Sequence, residues 1–190
     1  MTGRLRSACW IESLECGWLF LVPESATSGW LLAVGDSVEN LLAQSRLIVH
    51  QVEVLNASMM AFPAHPRIAD PFCASGWLAC GAAALGFDPL CGDGTGNAVR
   101  EAILAAAVIR AAIRGEHSAP LLAHYRARLT AGLLRHLELC QTFYFSANCG
   151  PWWARQIAGL EEGIAWCRRT LEASPPFEYR LNGFDLDAIR

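Results

Sequence analysis

Two short apolar runs near the start of the chain have the length and the boundaries of β-strands. They cover residues 17–23 and 29–35, and five small or polar residues separate them. Apolar runs of this length, bounded by proline and glycine and joined by so short a connection, predict a β-hairpin. Asp36 or Ser37 has the side chain of a helix N-cap, so we expect a helix from there to about Val49.

The middle of the chain reads as strand, loop and helix. A short apolar strand is expected at 77–81, and the glycine-rich residues 82–96 that follow it predict a loop. A helix is predicted at about 95–114, where Gly115 ends it.

Two more helices are predicted in the last third of the chain. One begins at Ser118, with apolar residues three and four positions apart, and the other covers about 151–172. The tail, 177–190, is expected to be extended and docked by its aromatic residues, Phe177, Tyr179 and Phe184. Because strands are followed by helices, the order of elements predicts an α+β fold.

Composition narrows the classes of function. Hydrophobic residues make up 53% of the chain and charged residues 17%, which is below the usual quarter. The net charge of -3, with scattered arginines, lacks the clustered basic face of nucleic-acid-binding proteins. The most apolar stretch, 98–113, contains three charged residues and is shorter than the roughly 20 residues of a membrane-spanning helix, so we expect no membrane span.

The eight cysteines include no C-x-x-C pair, so we expect neither a structural zinc site nor a thioredoxin-like motif. Glu12 and Glu15 interrupt the apolar residues near the N-terminus, which argues against a signal peptide. We therefore expect free thiols in a reducing, cytoplasmic compartment, with no bound metal.

The segment 77–98 carries the most specific chemical signal. Its strand ends at Gly81, and a helix N-terminus follows three alternate glycines, Gly92, Gly94 and Gly96. Free backbone amides and the helix dipole at such a point favour a ligand with negative charge. Alternate glycines let that ligand approach the backbone closely, and Asn97 adds a side-chain donor. From glycine spacing alone, an ordinary strand–loop–helix turn remains the alternative.

The order of residues in this segment resembles the second flavin-binding motif of the p-hydroxybenzoate-hydroxylase-like superfamily, which includes flavin monooxygenases, tryptophan halogenases and geranylgeranyl reductases. In that superfamily a strand ends in Gly-Asp-Ala-Ala, a short loop brings in Asp-Pro or Pro-Pro, and a glycine-rich turn opens a helix that faces the flavin ring. The resemblance implies FAD as cofactor and implies contacts from Gly81, Ala82, Asp88, Pro89, Gly92, Gly94, Thr95, Gly96 and Asn97. It also implies that the helix start stabilises charge on the flavin N1–C2=O edge during reduction.

One position departs from the motif. The superfamily's aspartate, which hydrogen-bonds the ribityl chain, corresponds to Ala82. A methyl group cannot accept that hydrogen bond, and its loss costs about 1 kcal/mol. We therefore expect weakened FAD binding.

A second resemblance lies in the first apolar run. Trp18, Phe20, Val22 and Pro23 fit the W-x-W-x-I-P motif of flavin-dependent tryptophan halogenases, with Phe and Val in place of Trp and Ile. In halogenases this motif lies beside the passage between flavin and substrate. The resemblance thus implies that Trp18, Phe20 and Pro23 line a substrate pocket; two aromatic core residues in a strand are the alternative.

Other titratable residues form no recognisable site. The histidines have no metal-ligand spacing, and we expect surface or capping roles for His50, His65, His117, His124 and His136. Glu101 and the adjacent Glu161 and Glu162 do not indicate an acid–base pair, because nothing sets them in a shared pocket.

The resemblance divides the chain into three parts: 1–75 as part of a substrate-domain sheet, 76–115 as the second FAD motif with its helix, and 116–190 as a C-terminal helical region with a tail. The superfamily's N-terminal ADP-binding Rossmann unit, with its G-x-G-x-x-G, is not recognisable, and the chain contains no lysine for the halogenase catalytic role. One hypothesis is the C-terminal portion of an FAD-dependent oxidoreductase, with FAD and a separate N-terminal half or another protein as partners. The other is a truncated, non-catalytic flavoprotein-like module that acts through a partner or in protein maturation.

Overall fold

The computed structural model describes residues 8–54, 59–147 and 149–189. Within those ranges the fold is α+β, with four α-helices and four small antiparallel sheets. The chain forms two compact units, one from 1–62 with 143–159 and the other from 63–142 with 160–190.

The first unit contains a three-stranded antiparallel sheet in the order β1 (Trp10–Leu14), β2 (Gly17–Pro23), β3 (Gly29–Val34). The predicted hairpin is confirmed, with Pro23 opposite Gly29 across the turn. Strand β1 was not predicted, because Glu12 interrupts its apolar pattern.

Glu12 also explains why the first helix is shorter than its sequence predicts. Helix α1 covers Val38–Gln44 and begins where Ser37 Oγ accepts a hydrogen bond from the Asn40 amide, as expected of an N-cap. The prediction that it reaches Val49 is wrong. The Glu12 carboxylate instead accepts hydrogen bonds from the Ser45 hydroxyl and from the backbone amides of Arg46, Leu47 and Ile48. These amides are thereby turned away from a helical path, and a short 3-10 helix, Ile48–His50, follows.

The core of the first unit lies on one face of its sheet, where five side chains are buried: Leu14, Leu19, Leu21, Leu41 and Ile48. The indole N–H of Trp153 donates a 2.7 Å hydrogen bond to the Leu14 carbonyl. Trp153 therefore joins a strand end and a helix through a buried polar contact as well as through its ring.

The second unit contains three two-stranded pairs and helix α2. The pairs are β4 (Arg67–Ile68) with β7 (Leu85–Gly86), β5 (Cys73–Ala74) with β6 (Trp77–Leu78), and β8 (Tyr179–Asn182) with β9 (Asp185–Ala188). Helix α2 covers Gly94–Ile113, and its end at Gly115 (φ +91°) agrees with the prediction. The predicted strand at 77–81 pairs only through Trp77–Leu78, because the chain then turns into a 3-10 helix at Gly81–Ala83.

Two longer helices complete the described chain, α3 (Ser118–Phe145) and α4 (Pro151–Glu172), and both agree with the sequence prediction. The tail is a hairpin, β8–β9, in which Asp185 forms ion pairs with Arg110 and Arg114 of α2. In residues 8–54, 59–147 and 149–189, no helix is long and apolar enough to cross a membrane.

Candidate functional site

The glycine-rich loop begins at Gly81, a position whose backbone conformation favours glycine. Gly81 has φ +59°, in the left-handed region, and its backbone N–H donates a 2.7 Å hydrogen bond to Oε2 of Glu101 on α2. A Cβ at Gly81 would lie 3.5 Å from the Ala98 methyl group, which is ordinary contact. The first glycine of the loop is therefore held against the early turns of α2 by a hydrogen bond from the side chain of Glu101.

Asp88 and Pro89 have a structural task in the middle of the loop. Asp88 is buried, and its Oδ1 accepts a 2.8 Å hydrogen bond from the Leu90 amide, capping a 3-10 helix at Pro89–Cys91. Pro89 occupies the first turn of that 3-10 helix, where a missing N–H costs nothing. The pair thus sets the direction in which the chain reaches the α2 N-terminus.

The start of α2 is open. Gly92 has φ +63°, and within the described part of the chain no heavy atom lies within 4 Å of a Cβ added at Gly92 or Gly94. Asp93, the N-cap residue, makes no side-chain hydrogen bond to the helix amides. Its carboxylate pairs with Arg100 at 2.9 Å instead. The first-turn amides of α2 therefore have no side-chain cap to compete with a ligand.

Thr95, Gly96 and Asn97 form the first turn of α2. Thr95 is exposed. A Cβ at Gly96 would lie 2.9 Å from Asp93 Oδ1, so a larger residue here would require the Asp93 side chain to move. The Asn97 side-chain oxygen accepts a 2.7 Å hydrogen bond from Arg100, which orients the Asn97 side chain.

Ala82 and its neighbour Ala83 lie in the 3-10 helix at Gly81–Ala83, and both are exposed. The side chain at position 82 is a methyl group that faces solvent and offers no hydrogen-bond acceptor. This is the position at which the flavin motif has aspartate.

A cavity of about 170 Å³ lies in the second unit beside the loop. Asn97, Arg100 and Glu101 of α2 line one side, and Arg128 and Arg135 of α3 line the other; apolar residues complete its wall. Arg100 is paired with Asp93, so the guanidinium groups of Arg128 and Arg135 beside the Glu101 carboxyl give the cavity its positive balance, which suits an anionic group.

The Glu101 carboxyl is buried, at 7% exposure. Burial raises the pKa of Glu101 above its usual range, although the hydrogen bond from Gly81 and the charge of Arg100 act in the opposite direction. Its hydrogen bond links loop and helix, so Glu101 positions the loop. The amino-acid sequence gives no sign of this role, because Gly81 and Glu101 are 20 residues apart along the chain.

Three possible metal-ligating side chains also come together in the second unit. The donor atoms of Cys91, His136 and Cys140 all lie within 4.8 Å of one another. The contact with the Cys140 thiol lowers the pKa of Cys91 to about 6, and the same contact together with burial raises the pKa of Cys140. Because the three residues lie near the end of the glycine-rich loop and on α3, they form a second candidate site.

The histidine expectation needs correction. His124 and His136 are both buried, at 5% exposure, so surface positions are wrong for these two. His136 accepts a 2.8 Å hydrogen bond from the Asp88 amide at Nε2. The sequence does contain one sign that His136 could share a site with a cysteine. His136 and Cys140 are four residues apart, which places both on one side of a helix. This spacing is neither a histidine pair nor a C-x-x-C pair, the usual patterns of a metal site.

The strand residues implied as substrate contacts lie in the first unit. Trp18 is fully buried, and in the described residues its indole N–H has no hydrogen-bond partner. Phe20 and Pro23 are half-buried. Phe20 lies opposite Ile11 and Leu32 in the sheet, and both of those side chains are exposed. Trp18 and Phe20 are two positions apart in β2 and therefore lie on the same face of the sheet, the face opposite to Leu19 and Leu21. On that face Trp18 is buried, as the alternative of a packed aromatic residue expects, whereas Phe20 is only half-buried.

Comparison of the chain with models of protein families, with characterised proteins and with solved structures found no match.

Proposed function

We propose that this chain is the C-terminal portion of an FAD-dependent oxidoreductase of the halogenase or monooxygenase type, in which it contributes contacts to the flavin ring and part of the substrate pocket. One observation carries the proposal. The loop from Gly81 to Gly92 leads into a 20-residue helix whose first turn has no side-chain cap and whose surface at Gly92 and Gly94 is open.

The chemistry of this loop suits a flavin ring that gains negative charge. When bound, FAD would supply the electron-transfer chemistry, while the chain supplies binding and orientation. The amides of Gly94, Thr95 and Gly96 and the positive end of the α2 dipole would stabilise charge on the N1–C2=O edge. Two glycines without nearby protein atoms leave room for a planar ring against the backbone.

The cavity between α2 and α3 supports a role in binding a second, anionic group. Arg128 and Arg135 face Arg100 and Asn97 across about 170 Å³, a volume suited to a small ligand or to part of a larger one. Asn97, in the first turn of α2, is both a lining residue of this cavity and one of the proposed flavin contacts.

A non-catalytic role through a protein partner is the second candidate, and Ala82 favours it. An exposed methyl group stands where the motif requires an acceptor for the ribityl chain. Such a module would keep the loop geometry and lose affinity for free FAD.

Titration of the purified chain with FAD, followed by flavin fluorescence quenching and the flavin absorption spectrum, tests the first candidate. Gly94→Leu should weaken binding at least tenfold, because its side chain would occupy the open surface, where an added Cβ meets no protein atom within 4 Å. Gly159→Leu is the matched control, since Gly159 is also a helical glycine with no atom of the described chain within 4 Å of an added Cβ. Absence of binding at tens of micromolar FAD would reject catalysis by this chain alone.

The alignment of the motif has its own test. Ala82→Asp should supply the ribityl hydrogen bond and tighten FAD binding several-fold, since a bond of this kind is worth about 1 kcal/mol. Ala83→Asp is the control, because Ala83 is the exposed neighbour in the same 3-10 helix. Equal affinities for these two variants would argue against the alignment.

A further inference from the structure

Cys91, His136 and Cys140 converge from two elements of the second unit. Cys91 ends the 3-10 helix Pro89–Cys91, whereas His136 and Cys140 lie one turn apart on α3. Cys140 Sγ is 3.4 Å from Cys91 Sγ and 3.3 Å from His136 Nε2. Two sulfur atoms and one imidazole nitrogen thus surround a common point, although Cys91 and Cys140 are 49 residues apart.

These separations suit a tetrahedral zinc ion. At tetrahedral angles, two zinc-bound sulfur atoms lie about 3.8 Å apart, and a sulfur and a nitrogen lie about 3.6 Å apart. The corresponding separations from Cys140 Sγ are 3.4 Å and 3.3 Å, and the third pair, Cys91 Sγ and the His136 nitrogen, lies within 4.8 Å. Zinc–sulfur bonds are about 2.3 Å and zinc–nitrogen bonds about 2.0–2.1 Å. The two short separations therefore need to change by about 0.3–0.4 Å, and the Cys91–His136 separation needs to shorten by up to about 1.2 Å, to complete the coordination.

The His136 Nε2 atom is a hydrogen-bond acceptor in this structure. The Asp88 amide donates a 2.8 Å hydrogen bond to His136 Nε2, so this nitrogen carries a lone pair and the proton belongs on Nδ1. The edge-to-face contact with Phe87, at 4.7 Å between ring centroids, restrains the ring plane. On metal binding the Nε2 lone pair would pass from the amide to the ion, and both thiols would release their protons to solvent.

The donor set and the burial favour zinc over harder cations. Thiolates and imidazole bind zinc, while calcium and magnesium prefer oxygen donors. Cys140 and His136 are buried and Cys91 is partly exposed, which gives an ion a path to the site and leaves the fourth position to a solvent molecule or an exogenous ligand. Three protein ligands with an open position are the arrangement found in catalytic zinc sites.

We propose that Cys91, His136 and Cys140 form a zinc-binding site that ties the Asp88–Gly92 part of the loop to α3. The ion would hold the chain segment that immediately precedes α2. This site does not depend on the proposed flavin function, and its test uses no flavin.

The test is titration of the reduced, chelator-treated chain with Co²⁺, which reports thiolate coordination through a sulfur-to-cobalt charge-transfer band in the near ultraviolet. One equivalent of Co²⁺ should produce the band, and Zn²⁺ should abolish it. Cys91→Ser should weaken Co²⁺ binding at least tenfold and reduce the band intensity, and His136→Asn should weaken binding by a similar factor. Zn²⁺ should also raise the thermal midpoint of the wild-type chain but not that of Cys91→Ser.

Two other cysteines serve as matched controls. Cys16→Ser replaces a partly exposed thiol like Cys91, and Cys167→Ser replaces a buried helical thiol like Cys140; neither should change the titration. Circular dichroism checks that each variant is folded. Cys140→Ser is a further ligand variant, and if it does not fold, the result for Cys91→Ser decides the test, because Cys91 is partly exposed. Failure of the reduced chain to bind Co²⁺, or unchanged binding by Cys91→Ser, would overturn the proposal. Isolation of a Cys91–Cys140 disulfide, with no metal binding after reduction, would also overturn it and assign the pair to thiol oxidation.

Discussion

Replacing Glu101 by alanine and by glutamine would separate the two contributions that this buried carboxyl makes to the second unit. The Gly81 N–H donates to its Oε2 at 2.7 Å, and the side chain is 7% exposed. Alanine removes both the acceptor and the packing of the side chain. Glutamine keeps an acceptor oxygen of the same reach and removes the charge.

The hydrogen bond sets the expected magnitude. A bond to a charged acceptor contributes about 1.5–3 kcal/mol, and truncation also leaves the Gly81 N–H without its partner. Glu101→Ala should therefore lower the free energy of unfolding by about 2–3 kcal/mol. Glu101→Gln should stay within about 1 kcal/mol of wild type at pH 7, because it retains the bond and avoids burying a charge.

The pH dependence has a definite sign. Burial raises the folded-state pKa of Glu101 above its value in the unfolded chain, so the folded state binds the proton more tightly. The stabilisation from this proton is fully present below the unfolded pKa of about 4.5 and is lost as the pH rises through the folded pKa. The wild-type chain should therefore gain stability relative to Glu101→Gln as the pH is lowered from 7 towards 4.5.

Urea denaturation followed by far-ultraviolet circular dichroism measures these differences. Glu161→Ala is the control, because Glu161 is an exposed helical glutamate whose replacement should change stability by less than about 0.5 kcal/mol. If Glu101→Ala behaved like Glu161→Ala, or if glutamine were as damaging as alanine, the role given to the Gly81 hydrogen bond would be refuted.

Three further substitutions test other parts of the fold by the same denaturation assay. Glu12→Ala should lower the free energy of unfolding by about 3 kcal/mol, because it leaves buried donors unpaired. Hydrogen bonds lower the pKa of Glu12 despite its desolvation, so wild-type stability should fall as the pH drops below 4.5. A stability difference between the two chains that did not change with pH would contradict this. Burial lowers the pKa of His124 to about 4, and neither ring nitrogen has a hydrogen-bond partner among the described residues. The free energy of unfolding of the wild-type chain should therefore fall by about 3 kcal/mol between pH 6.5 and 4, and His124→Leu should remove this loss. An equal loss in both chains would refute the prediction. Gly81→Ala should lower the free energy of unfolding by about 1–2 kcal/mol, because Gly81 has a positive φ. Gly94→Ala is its control and should cause no such loss, because Gly94 is helical and an added Cβ meets open space. Equal effects of the two substitutions would be inconsistent with the loop geometry.

Much of the secondary structure could be predicted because its signals are local. The hairpin of residues 17–34 is specified by two apolar runs and a five-residue connection, and its register places Pro23 opposite Gly29. Gly115 and Ser118 mark a helix end and a helix start that the structure retains. Such signals act within a few residues, where backbone geometry and capping decide the outcome.

The errors have a common origin in contacts between distant residues. In the sequence, Glu12 interrupts the apolar pattern of a strand. In the structure, its carboxylate accepts hydrogen bonds from amides and a hydroxyl 33 to 36 residues further along the chain. The same hydrogen bonds explain why α1 ends at Gln44. His136 looks like one of several scattered histidines, yet it is buried beside Asp88 and Cys140. A polar residue in a periodic pattern is predicted to be exposed, because the distant hydrogen-bond partners that would allow its burial cannot be recognised along the chain.

The sequence by itself therefore determined the α+β class, the glycine-rich loop that opens a long helix, and the resemblance to a flavin motif with alanine at position 82. Only the tertiary structure decided that Glu101 holds Gly81, that the start of α2 is open, and that Cys91 meets His136 and Cys140. Helical spacing and capping are properties of neighbouring residues, so they can be read along the chain. Convergence of donors separated by 20 to 49 residues depends on how the elements pack, and a single sequence contains no direct record of that packing.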